Sequence, residues 1–364
     1  METIRLTTAG AIVRFLIAQR SEVDGEEVPL FPGVFAIFGH GNVTCLGAAL
    51  EEVRDLLPTW RGQHEQSMAM AAVAFAKAKR RRQIMVATSS IGPGALNMVT
   101  AAGVAHANRL PVLLLAGDTF VSRVPDPVLQ QVEPFGDPTV TVNDAFRPVT
   151  RYWDRITHPA QILQSLPQAV ATMLDPAECG PAFLGLPQDV QAEAFDYPAG
   201  FFEPRLHRVR RPGPDPAEVA AAVEVLRGAR RPLLVAGGGV HYALATATLA
   251  DFAERHDVPV VETVAGKSCL PWDHPRFAGP IGVTGGSSAN ALAADADVVL
   301  AVGTRLQDFT TGSWSVFRDG SMRLVSLNAA RHDASKHLAA PLVADARRGL
   351  EELSEALGAW RAPA

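Results

Sequence analysis

Gly62-Gln63-His64-Glu65 places an imidazole and a carboxylate side by side at the start of a helix striped with Met68, Ala69, Ala72, Val73 and Ala76. A carboxylate held there can accept or donate a proton during a reaction. Taken alone, a glutamate in a first helical turn is an ordinary capping or solvent-facing residue. Its interest comes from a second segment, Ser90-Ile91-Gly92-Pro93-Gly94-Ala95-Leu96-Asn97. Glycines at such a turn allow close backbone approach, and the helix terminus that follows can host polar groups. Gly-Pro-Gly by itself signals only a turn. Two further polar residues sit in distinctive surroundings. His40 lies in Phe38-Gly39-His40-Gly41-Asn42-Val43, and Gln131 lies in Gln131-Val132-Glu133-Pro134-Phe135. For His40 the plain alternative is a loop hydrogen bond, and for His64 a structural role at the helix start.

Other suggestive residues do not assemble into chemistry. Val235-Ala236-Gly237-Gly238-Gly239-Val240 falls short of the full dinucleotide fingerprint and reads as a tight strand–helix turn. Gly282-Val283-Thr284-Gly285-Gly286-Ser287 suits an anion or a bland junction equally well. His274, Asp297, Asp308 and His332 lack compact metal-site spacing, so no metal ligands are assigned. Cys45, Cys179 and Cys269 are widely separated and odd in number, giving neither a zinc pattern nor a disulfide scaffold. A reducing cytoplasm is the economical reading.

These residues must be positioned by alternating strands and helices. The patterning predicts a helix from Thr7 or Thr8 to about Arg20, an acidic loop Ser21–Glu27, a strand Val34–Phe38 and a helix Cys45–Leu57. The Glu65 helix runs towards Arg80. A strand Ile84–Ala87, a helix Leu96–His106 and a strand Pro111–Ala116 follow. Asp118–Asn143 is broken by four prolines and reads as a lid or interface loop. Helix Pro159–Met173 and strand Ala182–Leu186 complete this part. A second series contains helix Pro216–Arg227, strand Pro232–Ala236, helix Ala243–His256, strands Val258–Glu262, Val298–Val302 and Arg323–Leu327, and helix Ala344–Trp360. Such alternation predicts an α/β fold of two parallel-sheet sandwich domains. Their expected limits are 1–198 and 216–364, joined by a proline- and arginine-rich linker, 199–215.

With 48% hydrophobic residues the chain can bury two sizeable cores, and its formal charge of −5 disfavours a nucleic-acid partner. The one tight basic run, Lys77 to Arg82, reads as a solvated helix end. No signal-peptide pattern opens the chain, and no apolar run of about 18 residues suggests a membrane span.

Together, Trp60-Arg61-Gly62-Gln63-His64-Glu65, the small-residue helix after it, and Ser89–Asn97 resemble the pyrimidine-binding domain of thiamine-diphosphate enzymes. The second half resembles their central, Rossmann-like domain, most clearly at Thr263–Pro271, Phe277–Gly286 and Ala296–Gly312. The resemblance covers nearly the whole chain. It implies that Glu65 activates the cofactor through its aminopyrimidine ring, with Gly92 and Asn97 in the cofactor region and Gln63 helping to shape it. Within the family, the likeness is closest to members that open a cyclic polyhydroxy-dione with water in myo-inositol breakdown, where His40, His64 and Gln131 would meet the substrate. The resemblance further implies thiamine diphosphate and Mg²⁺ as cofactors, and a homodimer or pair of dimers with composite active sites. It also implies a C-terminal diphosphate-binding domain beyond the two seen here, so that this chain alone is expected to be inactive. Two other readings stay open: an acetolactate-synthase-like lyase, and a noncatalytic regulatory or assembly module.

Overall fold

Short, fully apolar runs bounded by glycine, proline or polar residues form parallel strands buried on both faces. In the computed structural model, which describes residues 2–363, they build two compact units that divide between Val209 and Arg210. The main sheet of the first unit has six strands, here β1 (Val34–Ile37), β2 (Thr59–Arg61), β3 (Val86–Ser89), β4 (Leu113–Asp118), β5 (Tyr152–Arg155) and β6 (Ala182–Pro187). They lie in the order β2-β1-β3-β4-β6-β5, with every pairing parallel. Every residue of β3, β4 and β6 is buried.

The second unit repeats the plan with β7 (Pro232–Ala236), β8 (Val260–Glu262), β9 (Phe277–Pro280), β10 (Val298–Val302), β11 (Arg323–Asn328) and β12 (Ala340–Val343). Their order is β9-β8-β7-β10-β11-β12, again all parallel. The expected pair of parallel-sheet α/β domains is therefore present. Helix Pro216–Arg227 and strands β7 and β10 occupy the predicted residues. The helix starts cleanly because Asp215 caps it, accepting from Ala217 N at 2.8 Å, and Pro216 needs no intrahelical donor.

Several local expectations are corrected. The acidic loop at Ser21–Glu27 is a hairpin, Gln19–Val23 against Glu26–Pro29, turning at Asp24-Gly25, where both residues have positive φ. That dipeptide is the usual chemistry of a tight hairpin, and the neighbouring glutamates obscured it. The helix expected from Cys45 begins at Gly39 and passes through a π turn, Val43–Gly47, to Glu51. Two glycines argue against a helix locally, yet a Cβ on Gly41 would lie 3.0 Å from Ile91 N, so close packing requires the small residue. Pro93–Leu96 and Val99–Asn108 are separate helices, and β3 and β4 begin two residues later than expected. Thr3–Thr7 pairs antiparallel with Ala194–Pro198, a contact between chain regions that local patterning does not signal. Within the segment read as a linker, Ala199–Phe202 forms a 3₁₀ turn, and Arg205–His207 pairs with Gln19–Ser21 of the first unit.

Candidate active site

In a parallel sheet the loops leaving the carboxyl ends of neighbouring strands gather along one edge, where such folds bind ligands. The order β2-β1-β3-β4 therefore brings together Glu65 after β2, His40 after β1, the glycine turn after β3 and Asp118 at the end of β4.

Glu65 opens helix Glu65–Ala78, and His64 is its N-cap in extended conformation. The His64 ring Nδ1 lies 3.1 Å from Ser67 Oγ and 3.3 Å from Ser67 N. Asn97 reaches back from the end of the glycine-turn helix. Its Nδ2 donates to Glu65 Oε2 at 2.8 Å and stands 3.3 Å from His64 Nε2. One carboxylate oxygen is thereby fixed. The other, Oε1, faces the turn, 3.4 Å from where a Cβ on Gly94 would stand. A glycine at that position places no side chain beside the carboxylate.

Gly92 has a different task. Its φ of 66° and ψ of −122° are unfavourable for residues with a side chain, and a Cβ would sit 1.9 Å from the Gln130 carbonyl oxygen. The irregular segment after β4 consequently lies directly on the turn. Gln131, on that segment, donates to Asp126 Oδ1 at 2.7 Å, while its own Oε1 is buried without a partner. His40 is helical rather than in a loop. Its carbonyl accepts from Gln188 Nε2 at 2.8 Å, and its Nε2 is buried and unpartnered. Ser90 Oγ and Glu133 Oε1 share that condition. Buried polar atoms are nearly always paired, so orphans on segments meeting one turn mark the region as built for a polar occupant. Gln63 is exposed and joins none of these contacts.

Glu133 stands within a motif of interest, but only the burial of its Oε1 distinguishes it from an ordinary surface glutamate. Arg155, Asp118 and Asp144 carry no sequence signal at all. Arg155 Nε donates to Asp118 Oδ2 at 2.9 Å, and its Nη2 donates to Asp144 Oδ2 at 2.6 Å. Burial opposes the Asp144 charge. The Thr141 N–H and the Arg155 and Arg147 guanidiniums outweigh it and hold its pKa below the ordinary aspartate value.

The glycines of the second unit are accounted for by backbone packing. Gly239 N donates to the Gly303 carbonyl at 2.9 Å, and a Cβ on Gly239 would come within 2.6 Å of Gly303 Cα. This contact joins the ends of β7 and β10. At Gly282 the turn is held by Asn290, whose side chain bonds both its N–H and its carbonyl at 3.0 Å. Asp297 receives the Arg230 and Arg231 backbone N–H groups, each at 2.8 Å. Among the described residues, no three or more His, Cys, Asp or Glu side chains group in a way that could hold a metal ion. Nor is any helix among them long and apolar enough to cross a membrane.

Comparison with known proteins adds to this geometry. Residues 33–136 match the N-terminal TPP binding domain of thiamine pyrophosphate enzymes, and residues 219–353 match their central domain. A 3D-(3,5/4)-trihydroxycyclohexane-1,2-dione hydrolase from Geobacillus thermodenitrificans is 50% identical over 358 residues, which are 98% of this chain and 56% of that protein. Hydrolases named for the same substrate from Bacillus cereus and Clostridium tetani are 48% and 46% identical, each over 98% of this chain and 55% of their own length. The chain thus spans about half the length of these curated relatives.

Proposed function

The chain belongs to the thiamine pyrophosphate (thiamine diphosphate) enzyme family, and from that premise we propose that it supplies the cofactor-activating half of a carbon–carbon bond hydrolase. The proposed substrate is 3D-(3,5/4)-trihydroxycyclohexane-1,2-dione, opened to 5-deoxy-glucuronate in myo-inositol catabolism. One observation carries the reading: Glu65 presents one carboxylate oxygen to a glycine turn while Asn97 holds the other.

That arrangement fits the aminopyrimidine of thiamine diphosphate. Gly94 sets no side chain beside Glu65 Oε1, the oxygen proposed to meet the ring. When bound, the cofactor supplies a carbon nucleophile and an electron sink that make the bond beside a ketone breakable. The work of the chain is to hold and pass a proton at Glu65 Oε1, with Asn97 orienting the carboxylate and Gly92 shaping the turn. His64 lies alongside on the same amide. His40 Nε2 and Gln131 Oε1, buried without partners, are proposed to meet hydroxyl or carbonyl oxygens of the dione.

Mg²⁺ is proposed to accompany the diphosphate, on residues outside those described. The exposed Val124, Leu129 and Phe135 beside the site support a surface completed by a second chain, as in a homo-oligomer with composite active sites.

The test expresses the complete reading frame containing this sequence with thiamine diphosphate and Mg²⁺, and follows ring opening by mass spectrometry. Turnover of the cyclic dione that is abolished by Glu65→Gln is the expected result. Undiminished turnover in that variant would remove the role of Glu65. Turnover of pyruvate without the dione would move the assignment to an acetolactate-synthase-like lyase.

A further inference from the structure

Both ends of the irregular segment 119–141 meet on a single guanidinium. Arg155, the last residue of β5, donates through Nε to Asp118, immediately before the segment. Through Nη2 it donates to Thr141 Oγ1 at 2.7 Å and to Asp144, and through Nη1 it reaches the Thr139 carbonyl at 3.3 Å. The Asp118 side chain is only 1% exposed and that of Arg155 only 16%. A buried ion pair persists only when its hydrogen-bonding needs are met, and here one planar fork serves both ends of the segment at once.

The far end of the segment is also held by a capping box, in which Thr141 N donates to Asp144 Oδ2 at 2.9 Å and Asn143 N donates to Thr141 Oγ1 at 3.2 Å. The segment's backbone bonds are local turns, from Arg123 N to Phe120 O, Asp126 N to Arg123 O, Gln131 N to Val128 O, Asp137 N to Pro134 O and Val140 N to Asp137 O. Asp189 anchors the start by accepting from Val121 N and Ser122 N. Val124, Leu129 and Phe135 are 86%, 70% and 95% exposed, so they contribute no apolar core. The inner contact is the Gln130 carbonyl against Gly92.

We propose that Arg155 is a positioning residue that gathers both ends of segment 119–141 and so keeps the Gln130 carbonyl against Gly92 of the glycine turn, and with it the neighbouring Gln131 and Glu133 in place. The consequence for catalysis rests on the function proposed above; the positional claim rests on the hydrogen bonds alone. Lysine cannot replace the fork, because a single ammonium on a flexible stem cannot match its fixed set of donor directions.

Hydrogen exchange of the full chain, read by mass spectrometry, separates the possibilities. Arg155→Lys is expected to accelerate exchange of amides in 119–141 by about tenfold or more, with β1, β3 and β4 at wild-type rates. Thr141→Val should accelerate the same segment less. Glu65→Gln should leave its exchange unchanged, so the positional result is independent of whether Glu65 activates a cofactor. Wild-type exchange of 119–141 in Arg155→Lys would overturn the proposal, as would acceleration spread evenly over the first unit. If Arg155→Lys does not fold, Thr141→Val decides: unchanged exchange in the segment rejects the clamp.

Discussion

Asn97 Nδ2 donates to Glu65 Oε2 across 2.8 Å, linking the glycine-turn helix to the first residue of the helix after β2. This bond orients a carboxylate that would otherwise turn freely about its last torsion. Asn97→Leu removes the donor, and the proposed enzyme should lose roughly tenfold to a hundredfold in kcat with little change in KM, as expected when orientation rather than substrate binding is lost. Asn97→Asp has a distinguishable effect. Two adjacent carboxylates resist joint ionisation, so the acid limb of the pH–rate profile should move to higher pH. An unmoved profile in Asn97→Asp would show that the side chain does not act on Glu65.

Gly92→Ala tests the turn sterically. A methyl group there meets both an unfavourable backbone conformation and the Gln130 carbonyl. Holding such a conformation costs on the order of 1–3 kcal/mol, and the contact must also be relieved by moving the segment. The expected outcome is a lower unfolding midpoint in urea together with faster proteolytic cleavage within 119–141. Gly136→Ala, where a Cβ meets nothing within 4 Å, serves as the control and should show neither change.

Acid should release the segment from its carboxylate side. Asp144, Asp118, Arg155 and Arg147 face one another there, with Asp137 nearby on Thr139. Burial raises the Asp144 pKa, but its Thr141, Arg155 and Arg147 bonds leave it below the 3.8 of an unperturbed aspartate. A carboxyl group depressed on folding contributes stability that is present above its unfolded pKa and lost as pH falls through the folded value. Protection of 119–141, corrected for intrinsic exchange, should therefore hold steady from neutral pH down to about 4 and decline below it. Asp144→Asn should remove the part of that decline due to Asp144. The same decline in the variant would assign the acid sensitivity elsewhere.

What could be read without coordinates follows from the range of the interactions. Val298–Val302 and Pro232–Ala236 are continuous apolar runs, so their strand character is local and their limits are legible in the residues themselves. Glu65, Gly92 and Asn97 lie in two short motifs whose resemblance to a known family is equally local. Arg155 and Asp118 are 37 residues apart, and they meet only because β4, β6 and β5 are neighbours in the sheet. No composition or period announces that order. The Gln19–Pro29 hairpin is hidden for another reason. Its Asp24-Gly25 signal is present, but Glu22, Glu26 and Glu27 make the segment look like a solvated loop, whereas the edge strand Glu26–Pro29 tolerates such charges readily.

His256 makes the stability of the second unit depend on pH. The imidazole is fully buried between helix Thr246–His256 and the end of helix Ala346–Leu357. Its Nδ1 lies 2.8 Å from the Trp360 carbonyl, which can only accept, so that nitrogen carries the proton. In the neutral ring Nε2 then accepts from the Ser354 hydroxyl at 2.8 Å. Burial lowers its pKa; the Trp360 carbonyl opposes the shift, and Arg255 and Arg361 add to it. A histidine kept neutral by folding gives its full stabilisation above the unfolded value of 6.5, and that stabilisation declines as pH falls towards the folded pKa. His256→Gln should cost about 1–3 kcal/mol at pH 8 through lost packing and hydrogen bonding. The gap from wild type should narrow below about pH 6.5, because the variant has no proton to take up on unfolding. Urea titrations read by hydrogen exchange in Ala346–Leu357 measure that gap directly, and a gap of constant size from pH 5 to 8 would show that His256 does not control this unit's acid response.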